Sequence, residues 1–218
     1  PLLSVITNIS YDHQNLLGDT LPEIAGEKAG IIKQGVPVVI GETQAESAPV
    51  FEKKARETDA PLIFADQHYE AVEQNISDWK SNHYQVFKNK KPYLENLEVE
   101  AAGPFQARNV ATVLQAWEIL QSVDLPKTPD LTALRTGLAG LRSFTRFMGR
   151  WQVIGTQPTV LCDSAHNEAG LRIAFERILL MPFRRLHIVT GFVNDKEVGN
   201  VLGYFPVNAR YYFAKADI

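Results

Sequence analysis

The sequence contains a single cysteine, Cys162, among its 218 residues. One thiol can form no internal disulfide and no cysteine-based metal site, and this scarcity fits a reducing compartment. No apolar run reaches the roughly 18 residues that a membrane-spanning helix needs. The net charge of -3 is small, which removes the electrostatic grounds for binding nucleic acid or an anionic membrane. We therefore predict a cytoplasmic protein with small-molecule partners, no nucleic acid partner and no membrane partner.

The sequence also lacks the G-x-x-x-x-G-K-[ST] loop that cradles nucleotide phosphates. If the protein binds a nucleotide, its main phosphate-binding loop is not in this chain. The chain starts in the strand-like run "PLLSVITNIS", without methionine, and stops just after another strand-like run. Because natural termini usually fray at the surface, we expect the chain to be part of a longer protein.

Apolar residues make up 45% of the sequence and charged residues 22%, which is typical of a globular protein with a sizeable core. At first, apolar runs alternate with helical patterns, which predicts a parallel sheet with crossover helices. The predicted strands cover residues 2–9, 36–42 and 61–66. The first helix is predicted to begin at Thr20, in a capping box with Glu23, and to end at Gly35.

Residues 67–103 alternate polar and apolar side chains between Asn-Lys turns, which predicts short antiparallel strands. Two helical patterns follow, over residues 103–120 and 129–141. The segment 142–149 is predicted to be a linker, after which a second β-α-β-α-β series begins. We therefore predict an α/β protein with two domains, residues 1–147 and residues 148–218.

Asp12 and His13 follow the first predicted strand, at the end where open α/β sheets bind ligands. Either His13 is a metal ligand or phosphate neighbour, or the pair only terminates the strand, with Asp12 as a turn acceptor. Lys28, fifteen residues after His13, falls on or beside the apolar helix face that includes Ile24 and Ile31. Its amine either extends into water or is partly buried. A neutral buried amine can take up CO₂ to form a carbamate, an oxygen ligand that suits Mg²⁺.

The stretch "VLCDSAHNEAG" combines a strand, a polar turn and a helix N-terminus. Such a junction can bind phosphate or ribose oxygens, for which Asp163 and His166 are the candidates, and Asn167 is predicted to cap the helix. Alternatively, Asp163 and His166 only satisfy local backbone groups. Arg150 precedes Asp163 by thirteen residues, and adjacent parallel strands would bring the two together. Cys162 is predicted to face the core.

Four of these stretches together resemble one family. They are "ITNISYDHQNLLGDTLPEIAGEKAGIIKQGVPVV", "FQARNVATVLQAW", "GRW" followed by "VLCDSAHNEAG", and "GFVNDKE". The sequence resembles folylpolyglutamate synthase/dihydrofolate synthase, within the Mur-ligase superfamily of ATP-dependent amide-forming ligases. The resemblance implies part of a central parallel-sheet ATPase domain over residues 1–147, without its phosphate-binding loop. It further implies an incomplete, Rossmann-like C-terminal ligase domain over residues 148–218.

The resemblance also implies roles for residues of the first domain. His13 matches a histidine that binds catalytic Mg²⁺, and Lys28 matches a lysine that is often carbamylated and helps to hold the metal cluster. Asn109 matches an asparagine beside the ATP base.

In the second domain, Arg150 and Asp163 match nucleotide contacts, and His166 matches a histidine near the nucleotide and the incoming amino acid. The implied reaction uses ATP to phosphorylate a carboxylate of folate or dihydropteroate. The amino group of L-glutamate then attacks the acyl phosphate, and ADP and phosphate are the other products.

Two alternative functions stay open at this point. One is a Mur ligase that adds an amino acid to a UDP-linked muramyl peptide, which "GEKAGIIKQG" and the lack of a preceding UDP-binding domain oppose. The other is a non-catalytic binding module derived from a ligase, which the presence of Asn109, Arg150 and Asp163 opposes. The parent protein is expected to be a monomer, and this chain alone, without the phosphate loop, is expected not to turn over ATP.

Overall fold

The computed structural model describes residues 1–11, 17–74, 79–123, 129–192 and 199–214. In these ranges helices alternate with parallel and antiparallel strands, so the predicted α/β class is confirmed. The strands are β1 (Ser4–Ile6), β2 (Val38–Ile40), β3 (Leu62–Phe64), β4 (Tyr69–Glu73), β5 (Asn82–Lys88), β6 (Lys91–Val99), β7 (Gln152–Thr156), β8 (Thr159–Cys162), β9 (Leu186–Thr190) and β10 (Ala209–Phe213). The α-helices are α1 (Leu21–Ala29), α2 (Ala48–Glu57), α3 (Gln106–Gln121), α4 (Leu131–Ala139), α5 (Leu141–Thr145), α6 (Glu168–Leu180) and α7 (Gly199–Leu202). None of these helices is long and apolar enough to cross a membrane.

The first sheet is parallel, with strand order β1-β2-β3, and α1 and α2 are its crossover connections, as predicted. Ile6, Val38 and Phe64 of the strands pack with Ile24 of α1 and Phe51 of α2 in one buried cluster. All of β2 is buried because it is the central strand, with neighbours on both sides.

Helix α1 begins as predicted but ends earlier. Glu23 donates its N–H to Thr20 Oγ1 at 3.4 Å, and Glu23 Oε2 accepts the Thr20 N–H at 3.0 Å, which is the predicted capping box. Hydrogen bonds from the Thr20 side chain and from nearby backbone groups lower the pKa of Glu23. The helix ends at Ala29, with Gly30 as its cap, so the predicted end at Gly35 is wrong. Gly35 has a φ of +65°, which glycine adopts without strain, but it lies in the turn before β2, five residues after the cap of α1.

Strands β4, β5 and β6 form the predicted antiparallel sheet, and α3 packs on it. Tyr84 and Val86 of β5 and Leu97 of β6 share a buried cluster with Leu114 of α3. Asn82 Nδ2 donates to Tyr84 Oη at 2.8 Å, and burial raises the pKa of Tyr84 to about 12.

A polar cluster fastens the same sheet to α3. Glu118 of α3 accepts hydrogen bonds from Tyr69 Oη, at 2.8 Å, and from Lys88 Nζ. Burial works to raise the pKa of Glu118, but the hydrogen bonds from Lys88 and Tyr69 outweigh it and lower that pKa. Burial, together with the bond to Glu118, raises the pKa of Tyr69. The cluster therefore favours an ionised carboxylate beside a neutral phenol.

After residue 148 the structure departs from the prediction in its first two strands. β7 and β8 form an antiparallel hairpin in which Gln152 pairs with Cys162, so the predicted parallel pairing is wrong here. The connection, residues 157–158, is too short for the crossover that parallel strands require. Cys162 is exposed, and Leu161 is the half-buried neighbour, so the prediction that Cys162 faces the core is also wrong. β9 and β10 do pair in parallel, beside a cluster that includes Phe175 of α6.

The predicted linker is partly helical and is held by one side chain. α5 covers its first residues, and Arg142 donates its backbone N–H to Glu100 Oε2 at 2.9 Å. The Arg142 guanidinium donates to the carbonyls of Phe147, Arg150 and Trp151 at 3.3, 3.0 and 2.9 Å. The connection between the two predicted domains is thus fixed by hydrogen bonds, while the domain boundary itself stays a prediction.

Candidate functional site

The carboxyl end of the parallel sheet lies against the first turns of α3. Gly41, directly after β2, donates its N–H to the Ile6 carbonyl at 2.8 Å. A Cβ added to Gly41 would lie 2.4 Å from the Thr7 carbonyl oxygen and 2.5 Å from Thr112 Oγ1. Only glycine permits this close approach, which brings α3 to the edge where parallel sheets bind their ligands.

Polar side chains along this edge are paired with each other. Arg108 of α3 donates to Glu42 Oε2 at 2.9 Å. Asp66, after β3, accepts hydrogen bonds from the backbone N–H and the hydroxyl of Thr43, both at 2.7 Å. Neither pair was predicted from the sequence, although Arg108 is adjacent to Asn109.

Asn109 lies in the first turn of α3 and is half-buried. Its Nδ2 donates to Gln106 Oε1 at 3.1 Å. Within the described part of the chain this is the only side-chain hydrogen bond of Asn109. The carboxamide oxygen can therefore still accept a hydrogen bond from a ligand, and the second N–H of the amide can donate one. That combination can bind the edge of a nucleotide base, but contact with ATP stays a prediction.

Lys28 lies in the last turn of α1, and its side chain is exposed. Of the two predicted alternatives, the structure shows extension into water. Ile31, expected on the apolar face beside it, is 46% exposed because α1 ends before it. His13 and Asp12 lie outside the described residues, so the metal role of His13 stays a prediction. The described ranges contain no group of three or more His, Cys, Asp or Glu that could hold a metal ion.

Asp163 connects the two ends of the hairpin. Its Oδ2 accepts the Trp151 N–H at 2.6 Å, and its Oδ1 accepts the Ala165 N–H at 2.7 Å. Arg150, the neighbour of Trp151, therefore lies beside the Asp163 turn, as expected, although an antiparallel hairpin brings it there. Both carboxylate oxygens bind local backbone groups, as the alternative interpretation proposed, and the nucleotide contacts of Arg150 and Asp163 stay predictions.

The turn after Asp163 leads into a capped helix. Asn167 Oδ1 accepts the Gly170 N–H at 2.8 Å, so the predicted cap of α6 is confirmed. His166 is exposed, with its Nδ1 3.0 Å from the Ser164 carbonyl oxygen. Because a carbonyl only accepts, this bond places a proton on Nδ1 and makes Nε2 the basic nitrogen of the neutral ring. The side chain is thus oriented by its own turn, and its proximity to a substrate stays a prediction.

One side chain connects this turn with the segment before α3. Trp151 is fully buried, stacks on Trp79 with ring centroids 6.3 Å apart, and shares a buried cluster with Ala102, just before α3. Trp151, the neighbour of Arg150, therefore packs against the segment that leads into α3. The contacts of Trp151 and Arg142 were not predicted from the sequence, because their partners are distant residues and backbone carbonyls, which leave no local pattern.

No protein-family model matches the chain. It is 34% identical over 219 residues to a dihydrofolate synthase/folylpolyglutamate synthase of Bacillus subtilis, which covers 100% of this chain and 49% of that protein. It is 29% identical over 198 residues to a folylpolyglutamate synthase (FPGS) of Lacticaseibacillus casei, which covers 90% of this chain and 44% of that protein. The chain thus spans about half the length of the curated relatives it matches.

Solved structures match to a similar extent. The apo form of L. casei FPGS is 26% identical, with a TM-score of 0.79, covering 98% of this chain and 50% of that chain. A complex of FPGS with AMPPCP and folate is 28% identical, with a TM-score of 0.78, covering 92% of this chain and 47% of that chain. The fold implied by the resemblance is therefore confirmed for the part of these relatives that the chain matches.

Proposed function

The chain belongs to the folylpolyglutamate synthase/dihydrofolate synthase family, and from this premise we propose that the protein containing it is an ATP-dependent ligase. It joins L-glutamate to a carboxylate of folate or dihydropteroate. The observation that carries the proposal is the 34% identity to the B. subtilis enzyme over all of this chain. The complex of a related FPGS with folate and AMPPCP, an ATP analogue, supports both substrates.

In the proposed reaction, the bond between the terminal phosphoryl group and ADP breaks as a bond to the substrate carboxylate forms. The glutamate amine then attacks the acyl phosphate, phosphate leaves, and the amine loses a proton. Arg150 binds the phosphoryl oxygens, because a guanidinium stays protonated and presents a planar fork of donors. Asp163 orients the Arg150 backbone through Trp151, and Asn109 binds the base. His166 Nε2, basic in the neutral ring, accepts the amine proton.

Mg²⁺ is part of the proposal, with His13 as a ligand and Lys28 beside it. Glu42 and Asp66, the carboxylates at the described sheet edge, already have partners, so the described residues do not form a metal site by themselves. Replacing Lys28 by Ala tests whether Lys28 is carbamylated. A loss of activity that short carboxylates partly restore supports carbamylation, and unchanged turnover contradicts it.

We also propose that residues 1–147 and 148–218 belong to two domains and that the protein is a cytoplasmic monomer. No described strand before residue 148 pairs with a described strand after it, which supports the domain boundary.

The test is glutamate incorporation by the whole protein with ATP, Mg²⁺ and folate or dihydropteroate, followed by mass spectrometry of the product and by ADP release. Arg150→Ala should lower kcat/KM for ATP about 10²- to 10³-fold, the usual loss when one donor to a developing charge is removed. Arg146→Ala is the matched control, because Arg146 is a nearby exposed arginine that makes no proposed contact. Its kcat/KM should stay at the wild-type value.

Other outcomes separate the alternatives. Incorporation of alanine into a UDP-linked acceptor, without activity toward folate, would identify a Mur ligase. ATP binding without ADP release under any of these conditions would identify a non-catalytic module. An equal loss in the Arg150 and Arg146 variants would remove Arg150 from the mechanism.

A further inference from the structure

Arg177 forms an ion pair that crosses the predicted domain boundary. It lies in α6, yet its guanidinium contacts the antiparallel sheet: Nη1 donates to Glu73 Oε2 at 2.8 Å, and Nη2 donates to Glu73 Oε1. Nη2 also donates to Asn82 Oδ1 at 3.2 Å. The Arg177 side chain is 5% exposed and that of Glu73 is 19% exposed, so the pair is largely removed from water.

This pair is poorly suited to add stability and well suited to fix the orientation of α6 relative to the antiparallel sheet. Removing two charges from water is costly, and an apolar pair of similar volume often stabilises a fold as well or better. Arg177 Nε is also buried without a partner in the described ranges, which adds to the cost. In return, two parallel hydrogen bonds are satisfied only at one separation and one orientation of the fork. Helix α6 cannot slide or rotate on the sheet without breaking them.

The contacts that flank the pair along α6 are apolar and do not fix a single orientation of the helix. Ala174 and Ile178, which flank Arg177 along α6, pack in the cluster that contains Trp151 and Trp79. Apolar contacts of this kind tolerate small shifts. The ion pair therefore adds a directional contact, besides the Arg142 hydrogen bonds, next to the cluster that joins the Arg150 segment to the residues before α3.

We propose that Arg177 is a positioning residue: its bidentate pair with Glu73 sets the orientation of the segment after residue 148 and thereby the approach of Arg150 to the nucleotide. Arg177 itself contacts no substrate. The inference rests on the proposed function only for its consequence in catalysis, because the orientation of the segment can be measured without activity.

The first measurement is hydrogen exchange of the whole protein, read from peptides that cover residues 149–151 and 163–167. Arg177→Lys keeps the charge but cannot form the fork. It should speed exchange in these peptides about tenfold, through local opening, while peptides of the parallel sheet stay at the wild-type rate. The double variant Glu73→Met/Arg177→Met removes both charges and should show the same local increase. The matched control is Arg172→Met/Glu176→Met, an exposed pair on the same helix that does not cross the boundary, and it should leave these peptides unchanged.

The second measurement is steady-state kinetics. A merely structural role would reduce the amount of active enzyme, and hence kcat, at an unchanged KM. A positioning role should raise the KM for ATP in Arg177→Lys and lower kcat/KM about 10- to 100-fold, because small misplacements of a binding group are costly. Wild-type exchange in both Arg177 variants overturns the proposal. Local loosening at an unchanged KM for ATP also overturns it. If the wild-type protein lacks ligase activity, the proposed function fails, and the exchange measurement still decides the positioning of the segment.

Discussion

Trp151 is the side chain whose removal should lower the free energy of unfolding most. The contacts around it allow the size of this loss to be estimated. It is fully buried, stacked on Trp79 and packed in a cluster with Ala102 and Ala174. Its indole Nε1 is buried without a hydrogen-bond partner in the described ranges. Its φ of +44° is in the left-handed region, which is unfavourable for a bulky residue.

The favourable and unfavourable contributions can be compared directly. A buried tryptophan removes about 200 Å² from water, and at about 25 cal/mol per Å² this stabilises the fold by about 5 kcal/mol. The unpartnered indole N–H offsets about 1–2 kcal/mol of that. Trp151→Ala should therefore reduce the free energy of unfolding by about 3–4 kcal/mol. Trp151→Phe keeps most of the apolar contact and removes the unpartnered N–H, so it should cost only about 1–2 kcal/mol.

The backbone conformation adds a second, independent expectation. A left-handed φ costs an L-residue about 1 kcal/mol that glycine does not incur. Trp151→Gly should therefore be as stable as Trp151→Ala or up to about 1 kcal/mol more stable, the reverse of the usual order in helices and strands.

The assay is urea unfolding of the chain followed by far-ultraviolet circular dichroism, because each variant loses one of the three tryptophans and changes the fluorescence. A loss below about 1 kcal/mol in Trp151→Ala would refute the burial argument. A glycine variant clearly less stable than the alanine variant would refute the conformational one.

Three further predictions concern single interactions. Thr20→Ala removes the cap of α1 and should lower the free energy of urea unfolding by about 1 kcal/mol, whereas Thr20→Ser should restore most of it. Tyr84, with a pKa raised to about 12, contributes stability that is complete below pH 10 and lost as the pH rises through 12. Wild-type protein should therefore lose stability between pH 10 and 12 more steeply than Tyr84→Phe, by up to about 1.4 kcal/mol per pH unit, and parallel curves would contradict this. Because the pKa of Glu118 is lowered in the fold, its contribution is present above its ordinary pKa and lost as the pH falls through the lowered value. Lys88→Met should accordingly lower the free energy of unfolding at pH 7, and this loss should become smaller at acidic pH. A loss that is independent of pH in urea titrations would contradict this.

Local sequence patterns were sufficient to predict much of the fold. The capping box at Thr20, the cap at Asn167 and the alternation in β5 each depend on neighbours within a few residues, which the sequence contains. The parallel sheet followed from the alternation of apolar runs and helices. The hairpin of β7 and β8 was misassigned although the two-residue connection excludes a crossover, so loop length was the available signal.

The candidate site likewise has features that the sequence predicted and features that it did not. The proximity of Arg150 to the Asp163 turn was expected from sequence and is found, because the two lie at the ends of paired strands. The exposure of Lys28 was one of two alternatives, and it is found because Ile24, Ala25 and Ala29 form the buried face of α1. The contacts of Arg142 and Trp151 were not predicted, because Arg142 binds backbone carbonyls and Trp151 packs against Trp79 and Ala102, which are distant in sequence.

By itself the sequence determined most of the described helices, the strand types of the first two sheets and the resemblance to a family, since these depend on periodicity, capping and short motifs that are local in the chain. The tertiary structure decided how the two halves are held together: the pairing of Arg177 with Glu73, the burial of Trp151 and the attachment of the connecting segment by Arg142. These contacts join residues whose separation in sequence bears no relation to their distance in space, so only the packed fold can select them.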